Sequence, residues 1–184
     1  MLSFISRHFC AVLLLASLTT FGAAVQAESK AALEQSSREA LSALIKENSS
    51  ADALNDKAIA VLVFPKVTKA GLIVGGQYGE GVLWRDGKAV SFYSTAGASV
   101  GFQAGAQEFG YALFFMKDSA LKALDTAQGF EVGVGPSIVV MDKGMAVSRT
   151  TTTMQDDIYA FIFDQRGLMA GLGIQGNKIT KIDK

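Results

Sequence analysis

The chain has 184 residues, with 17 basic and 17 acidic side chains, and so carries no net charge. A neutral chain has no overall field to attract nucleic acid, which excludes that class of partner. Its one cysteine, Cys10, and its one histidine, His8, both fall in the first 27 residues, so the remainder has no disulfide framework, Cys nucleophile, Ser-His-Asp triad, His base or ordinary zinc site.

Those first 27 residues read as a secretory signal. Arg7 and His8 give a basic start, residues 9–18 are nearly all apolar, and Val25-Gln26-Ala27 offers small residues to a signal peptidase. Cleavage is expected after Ala27, which places the protein in the periplasm or cell envelope. The alternative is a retained N-terminal anchor, for which the apolar run is short. Cys10 precedes most of that run, so lipid attachment there is not expected. Loss of Arg7 takes the 17 basic residues to 16, against 17 acidic. Residues 28–184 have the length of one domain with a proper core. A helical segment, 28–56, and a glycine-rich β region, 57–184, are expected to form one globular unit.

Residues 28–48 read as a helix, with Leu33, Ala40, Leu41, Leu44 and Ile45 on one side at a 3.6-residue period. Its charges are mixed. Ser49 with Asp52 suggests a capping box and a short second helix to about residue 56. The run AIAVLVF at 58–64, closed by Pro65, fits a buried strand. Residues 66–69 are expected to turn. Segments 73–84 and 89–94 flank Arg85-Asp86-Gly87-Lys88, and Asp-Gly between two such runs signals a hairpin.

Ten of the forty residues 71–110 are glycine, where average usage gives about three. Glycine at this density suits strands that bend, bulge or admit close approach. Within this region Gly97, Gly101 and Gly105 are spaced four apart, and residues 95–116 carry one charge, Glu108. That pattern also describes a transmembrane helix with a small-residue face. Gln103, Gln107 and Glu108 in mid-span favour strand.

Further on, Asp118 is expected to cap a helix over 119–126. Strands are expected at 130–134, 137–141 and 145–153, with Asp142-Lys143-Gly144 as a turn. A last hairpin, 158–163 and 168–175, is joined through Asp164-Gln165-Arg166-Gly167, and 179–182 adds a short strand. The fold class is therefore α+β: a bent, largely antiparallel β-sheet covered by N-terminal helices and one short internal helix.

Few motifs suggest chemistry. Gly171-Leu172-Gly173-Ile174-Gln175-Gly176 matches the GxGxxG spacing, but no helix follows to hold a pyrophosphate. Asp156-Asp157 is a paired carboxylate whose neighbours on a strand face opposite ways. An enzyme would need a cleft built on Glu80, Glu108, Asp156 or Asp157. The reading is therefore non-enzymatic, with no catalytic residues, cofactor or metal.

Several pieces together carry a resemblance. They are residues 60–64 with Pro65 and Lys69-Ala70-Gly71, then Gly75-Gly76-x-x-Gly79-x-Gly81-Val82-Leu83, then Val100-Gly101-Phe102-Gln103-Ala104-Gly105. Gly135-Pro136 follows, and Tyr159 leads through Arg166-Gly167-Leu168-Met169-Ala170-Gly171 to Gly176. In order and spacing the chain resembles a SYLF domain of the bacterial exported branch, over about 52–182. The resemblance implies a phospholipid-binding module; eukaryotic members bind phosphoinositides, and some bind actin. Their lipid binding is tied to a basic N-terminal segment, and the helix here is not net basic. An exported protein would instead meet another anionic lipid. The candidate lipid-binding residues are Lys66, Lys69, Arg85 and Arg166, with Tyr78 and Trp84 at the interfacial level. The partner is an anionic phospholipid or membrane surface. The alternative from another class is a small outer-membrane β-barrel or a structural envelope protein.

Overall fold

A computed structural model describes residues 28–71, 74–100, 105–125, 130–141, 155–167 and 176–184, the side chains of 99 and 100 excepted. The strands expected at 145–153 and 168–175 lie outside the described residues.

The order of elements is α1 (Lys30–Glu47), α2 (Ser49–Asn55), β1 (Ala60–Gly71), β2 (Val74–Arg85), β3 (Lys88–Val100), β4 (Gly105–Phe115), α3 (Asp118–Leu124), β5 (Phe130–Glu131), β6 (Ile138–Met141), β7 (Ile158–Gly167) and β8 (Lys178–Ile182). The strands form one sheet in the order β5-β8-β3-β2-β1-β4-β7-β6. All pairs are antiparallel except β6 with β7. The fold is α+β with a bent sheet.

Both faces of the sheet are covered near one end. On one face Val61, Val63, Val82, Trp84, Phe114 and Tyr159 pack against Leu33 and Leu44 of α1 and Leu54 of α2. On the other, Leu62, Phe64, Tyr111, Leu113 and Ile158 pack against Ala120 and Leu124 of α3. No helix among the described residues is long and apolar enough to cross a membrane. Of the segment that doubled as a transmembrane pattern, residues 95–100 are strand in β3 and residues 105–115 are strand in β4.

Local chemistry explains most boundaries. Ser29 caps α1 by accepting from the amide of Ala32. Asn48, not Ser49, caps α2, accepting from the amides of Ser50 and Ala51. Asp118 lies in the first turn of α3, whose N-cap is Lys117. In the β2–β3 hairpin, Asp86 (φ 50°) and Gly87 (φ 71°) are both left-handed, as a type I′ turn requires.

Two expected turns are strand instead. Residues 66–69 continue β1, because one extra residue at Pro65 is absorbed as a bulge. The register passes from Val63↔Val82 to Lys66↔Glu80, three residues against two. Proline is tolerated there because a bulge leaves its position without a ladder bond. Residues 164–167 likewise extend β7 past a bulge at Asp164 (φ 50°), where Gly110↔Phe163 is followed by Glu108↔Arg166. The strand expected over 130–134 shortens to β5, since Gly133 and Gly135 both adopt φ 98° and leave the extended region.

Candidate functional site

Beyond the layer covered by the helices, β1, β2, β3, β4 and β7 continue as a glycine-rich extension with two different faces. The face continuous with the α3 side carries a polar row. Register places Gly97, Gln77, Lys69, Gln107 and Gly167 side by side across five strands. Lys69 is 8% exposed, and Gln107 and Asn177 are also buried. Gln77 donates to the Asn177 side-chain oxygen, which stands over Gly97 where a Cβ would be. Among the described residues Gln107 Oε1 and Asn177 Nδ2 are buried with no hydrogen-bond partner. Below them the Tyr111 hydroxyl donates to Thr95 Oγ1 at 2.7 Å. Burial raises the Tyr111 pKa, opposed by the polar Thr95 and Asn177 side chains beside it.

The opposite face, on the α1 side, is open. Ala70, Gly76, Ala98 and Ala106 share one row, and Tyr78, Thr68, Ala96, Glu108 and Arg166 share the next. Ala70, Gly76, Ala96, Ala98 and Ala106 are all exposed, as are Val74 at 66% and Tyr78 at 39%. Among the described residues the result is a smooth platform of small residues with one aromatic side chain, Tyr78. Behind it Lys66 pairs with Glu108 at 2.7 Å. Arg166 lines a cleft of about 160 Å³ with Lys66, Glu108 and Asp164. Tyr78 donates to Glu80 at 3.0 Å. Its pKa is raised by partial burial first and then by that carboxylate.

The six residues expected to meet lipid therefore do not form one cluster. Lys66, Arg166 and Tyr78 share the open face. Lys69 points to the other face, into the polar row. Arg85 ends β2, next to the β2–β3 turn at the far end of the sheet. Trp84 is a core residue, 5% exposed. Its indole N–H donates to Ser37 Oγ at 2.8 Å, and Arg38 covers its ring at 4.5 Å. An interfacial position for Trp84 is thereby overturned: α1 buries it. The platform itself escaped the sequence reading. Its signal was the alternation of small residues in Ala96-Gly97-Ala98 and in Ala70 and Ala106.

The carboxylate pair is structural in its contacts. Asp157 pairs with Lys117 at 2.7 Å and accepts from the Ser137 amide at 3.0 Å. Among the described residues no cluster of His, Cys, Asp and Glu could hold a metal.

Residues 96–184 match the family model described as "Ysc84: Las17-binding protein actin regulator". The match supports the resemblance to the SYLF family over this part of the chain. The SYLF match begins in β3 and takes in the platform residues Ala96, Ala98 and Ala106, with Glu108, Arg166 and Asn177. Lys66, Lys69, Tyr78, Trp84 and Arg85 precede it, as do the quoted pieces at 60–83. SYLF is a family of binding domains. No curated protein matches the chain.

Proposed function

We propose that the protein is an exported, non-enzymatic module that meets membranes containing anionic phospholipid through the open face of the glycine-rich extension. The observation that supports this reading is the exposed platform with Lys66 and Arg166 behind it. Rows on one face are two residues apart, about 6.6 Å. Arg166 thus stands roughly 7 Å and Lys66 roughly 13 Å behind the Ala70 row. Small residues and Tyr78 can lie at the interface while these cations reach headgroups. Each cation near an anionic surface is worth about 1 kcal/mol. Glu108 and Asp164 offset part of this, so the association is weak and reversible. The family description names an actin regulator. The export signal read in residues 1–27 leads away from actin and phosphoinositides, so an envelope phospholipid is the ligand that fits.

The test is sedimentation of the 28–184 protein with vesicles. Binding is expected to vesicles containing phosphatidylglycerol or cardiolipin, not to purely zwitterionic ones, and to fall as salt screens the charges. Ala98→Asp, which charges the platform, should abolish it. Undiminished binding by that variant would place the contact elsewhere, with α1 the next surface to examine.

A further inference from the structure

A second cleft, of about 380 Å³, lies at the other end of the molecule, between α1, the link from α2 to β1, and the β2–β3 turn. Leu41, Ile45, Ile59 and Trp84 give it apolar lining. Its polar lining includes Arg38 and Arg85 together with Asp56 and Asp86. None of these four charges forms an ion pair among the described residues. Arg38 is held by its stack on Trp84, and Trp84 by its bond to Ser37. A guanidinium fixed in this way keeps its N–H fork free for an oxyanion.

Within a lining that is more polar than apolar, Leu41, Ile45 and Ile59 offer a patch that suits a single hydrocarbon chain. Two guanidiniums and two carboxylates at the same cleft complement a head that carries both signs. A purely anionic head would leave Asp56 and Asp86 facing like charge, and a quaternary ammonium offers those carboxylates no N–H. We infer that this cleft binds one single-chain amphiphile whose head combines a phosphate with a primary ammonium. The phosphate sits on Arg38 and Arg85, the ammonium on Asp56 and Asp86, and the chain over Leu41 and Ile59. The inference rests on the lipid-binding reading for its choice of ligand class, but it uses residues remote from the platform.

The test uses Trp84, the one tryptophan of the chain, as a reporter within the cleft. The full 28–184 protein is titrated with lysophosphatidylethanolamine below its micellar concentration, and tryptophan fluorescence is followed. A saturable change is expected, with affinity about tenfold or more below it for lysophosphatidylcholine and lysophosphatidylglycerol of the same chain length. Phosphoethanolamine without a chain should bind weaker still. Arg85→Gln, at the exposed end of β2, and Asp56→Asn should each weaken the response while the fold is retained. Lys122→Glu, on α3 at the other face, should leave it unchanged. Absence of a saturable change, equal response in R85Q, equal affinity for the three lysolipids, or equal affinity for free phosphoethanolamine would each overturn the inference. Vesicle sedimentation reads the platform independently, so the two failures are distinguishable.

Discussion

Trp84 and Ser37 are joined by a buried hydrogen bond of 2.8 Å, and Ser37 reaches on to the Val63 carbonyl at 3.5 Å. One hydroxyl on α1 thus contacts both β1 and β2. Ser37→Ala would strand the indole N–H in an apolar layer. Leaving a buried donor unpaired costs about 1–3 kcal/mol. Urea denaturation should show that loss for S37A, and little change for Ser36→Ala one residue along. Equal stability of S37A and the parent would mean that the bond is dispensable.

Glu80 and Lys184 form a second long-range tie. Their charged atoms lie 2.5 Å apart, with the side chains 11% and 8% exposed. The Lys184 ammonium also donates to the Glu28 carbonyl, so it links β2 to the residues before α1. Removing one partner of a buried pair leaves the other charge uncompensated, at about 3 kcal/mol. Glu80→Met or Lys184→Met alone should lower the melting temperature. The double variant should recover much of the loss, because an apolar replacement of both partners is close to neutral. Additive losses would show that the two side chains act independently.

The glycines of the sheet are explained by closeness rather than looseness. A Cβ on Gly81 would stand 2.6 Å from the Val63 carbonyl oxygen and 2.6 Å from Phe64 Cδ1. The bulge at Pro65 sits next to this contact, and the backbone oxygen has little room to retreat. Gly81→Ala should destabilise by about 1–3 kcal/mol through overpacking. Chemical denaturation measures it, and a neutral result would mean that the bulge can shift.

What was legible in the chain follows from which forces are local. The AVLVF run of β1, the Asp-Gly hairpin and the period of α1 are decided by neighbours in sequence, and each was readable. The continuation of β1 through Lys66 and Lys69 was not, because it depends on pairing with both β2 and β4 across a proline bulge. Trp84 beside Arg85, among cations expected in turns, looked interfacial. Only the docking of α1 through Leu33 and Ser37 makes it core. The polar row around Lys69 needs five strands in register, and the platform needs the same register on the other face. No pattern in one segment carries either.

Stability should depend on pH at both ends of the scale. The Lys117 ammonium, and next the Ser137 amide, hold the Asp157 carboxyl below its usual range. A depressed carboxyl contributes stability above its unfolded value of 3.8 and loses it as pH falls through the folded value. At the alkaline end, burial and then Asp125 raise Tyr93, and burial raises Tyr111. These tyrosines contribute fully below the unfolded value of 10.0, and the contribution is lost as pH rises through the folded values. Thermal melts should fall below pH 4 and above pH 10. Asp157→Asn should flatten the acid limb and Tyr93→Phe the alkaline limb. Unchanged limbs would assign the pH dependence to other groups.

Lys66 and Lys69 are three residues apart and share a charge, yet their substitutions should separate cleanly. Lys66 is 64% exposed at its side chain and pairs with Glu108 on the surface, where such a pair is worth about 1 kcal/mol at most. Lys66→Glu should leave the melting temperature nearly unchanged. It removes a cation from behind the platform and sets a like charge against Glu108, so vesicle sedimentation should weaken. Lys69 lies on the opposite face, buried among Gln77 and Gln107. Lys69→Glu reverses a charge in a site with little water, so it should cost several kcal/mol and lower the melting temperature sharply. Lys69→Met, which keeps the length without the charge, should fold better than K69E and sediment with vesicles as the parent does. If K69M folds but no longer sediments, the inward row contributes to membrane binding and the open face is not the sole contact. If K66E binds as the parent does, charge behind the platform is unimportant, and the Tyr78 side chain and the alanine rows carry the association.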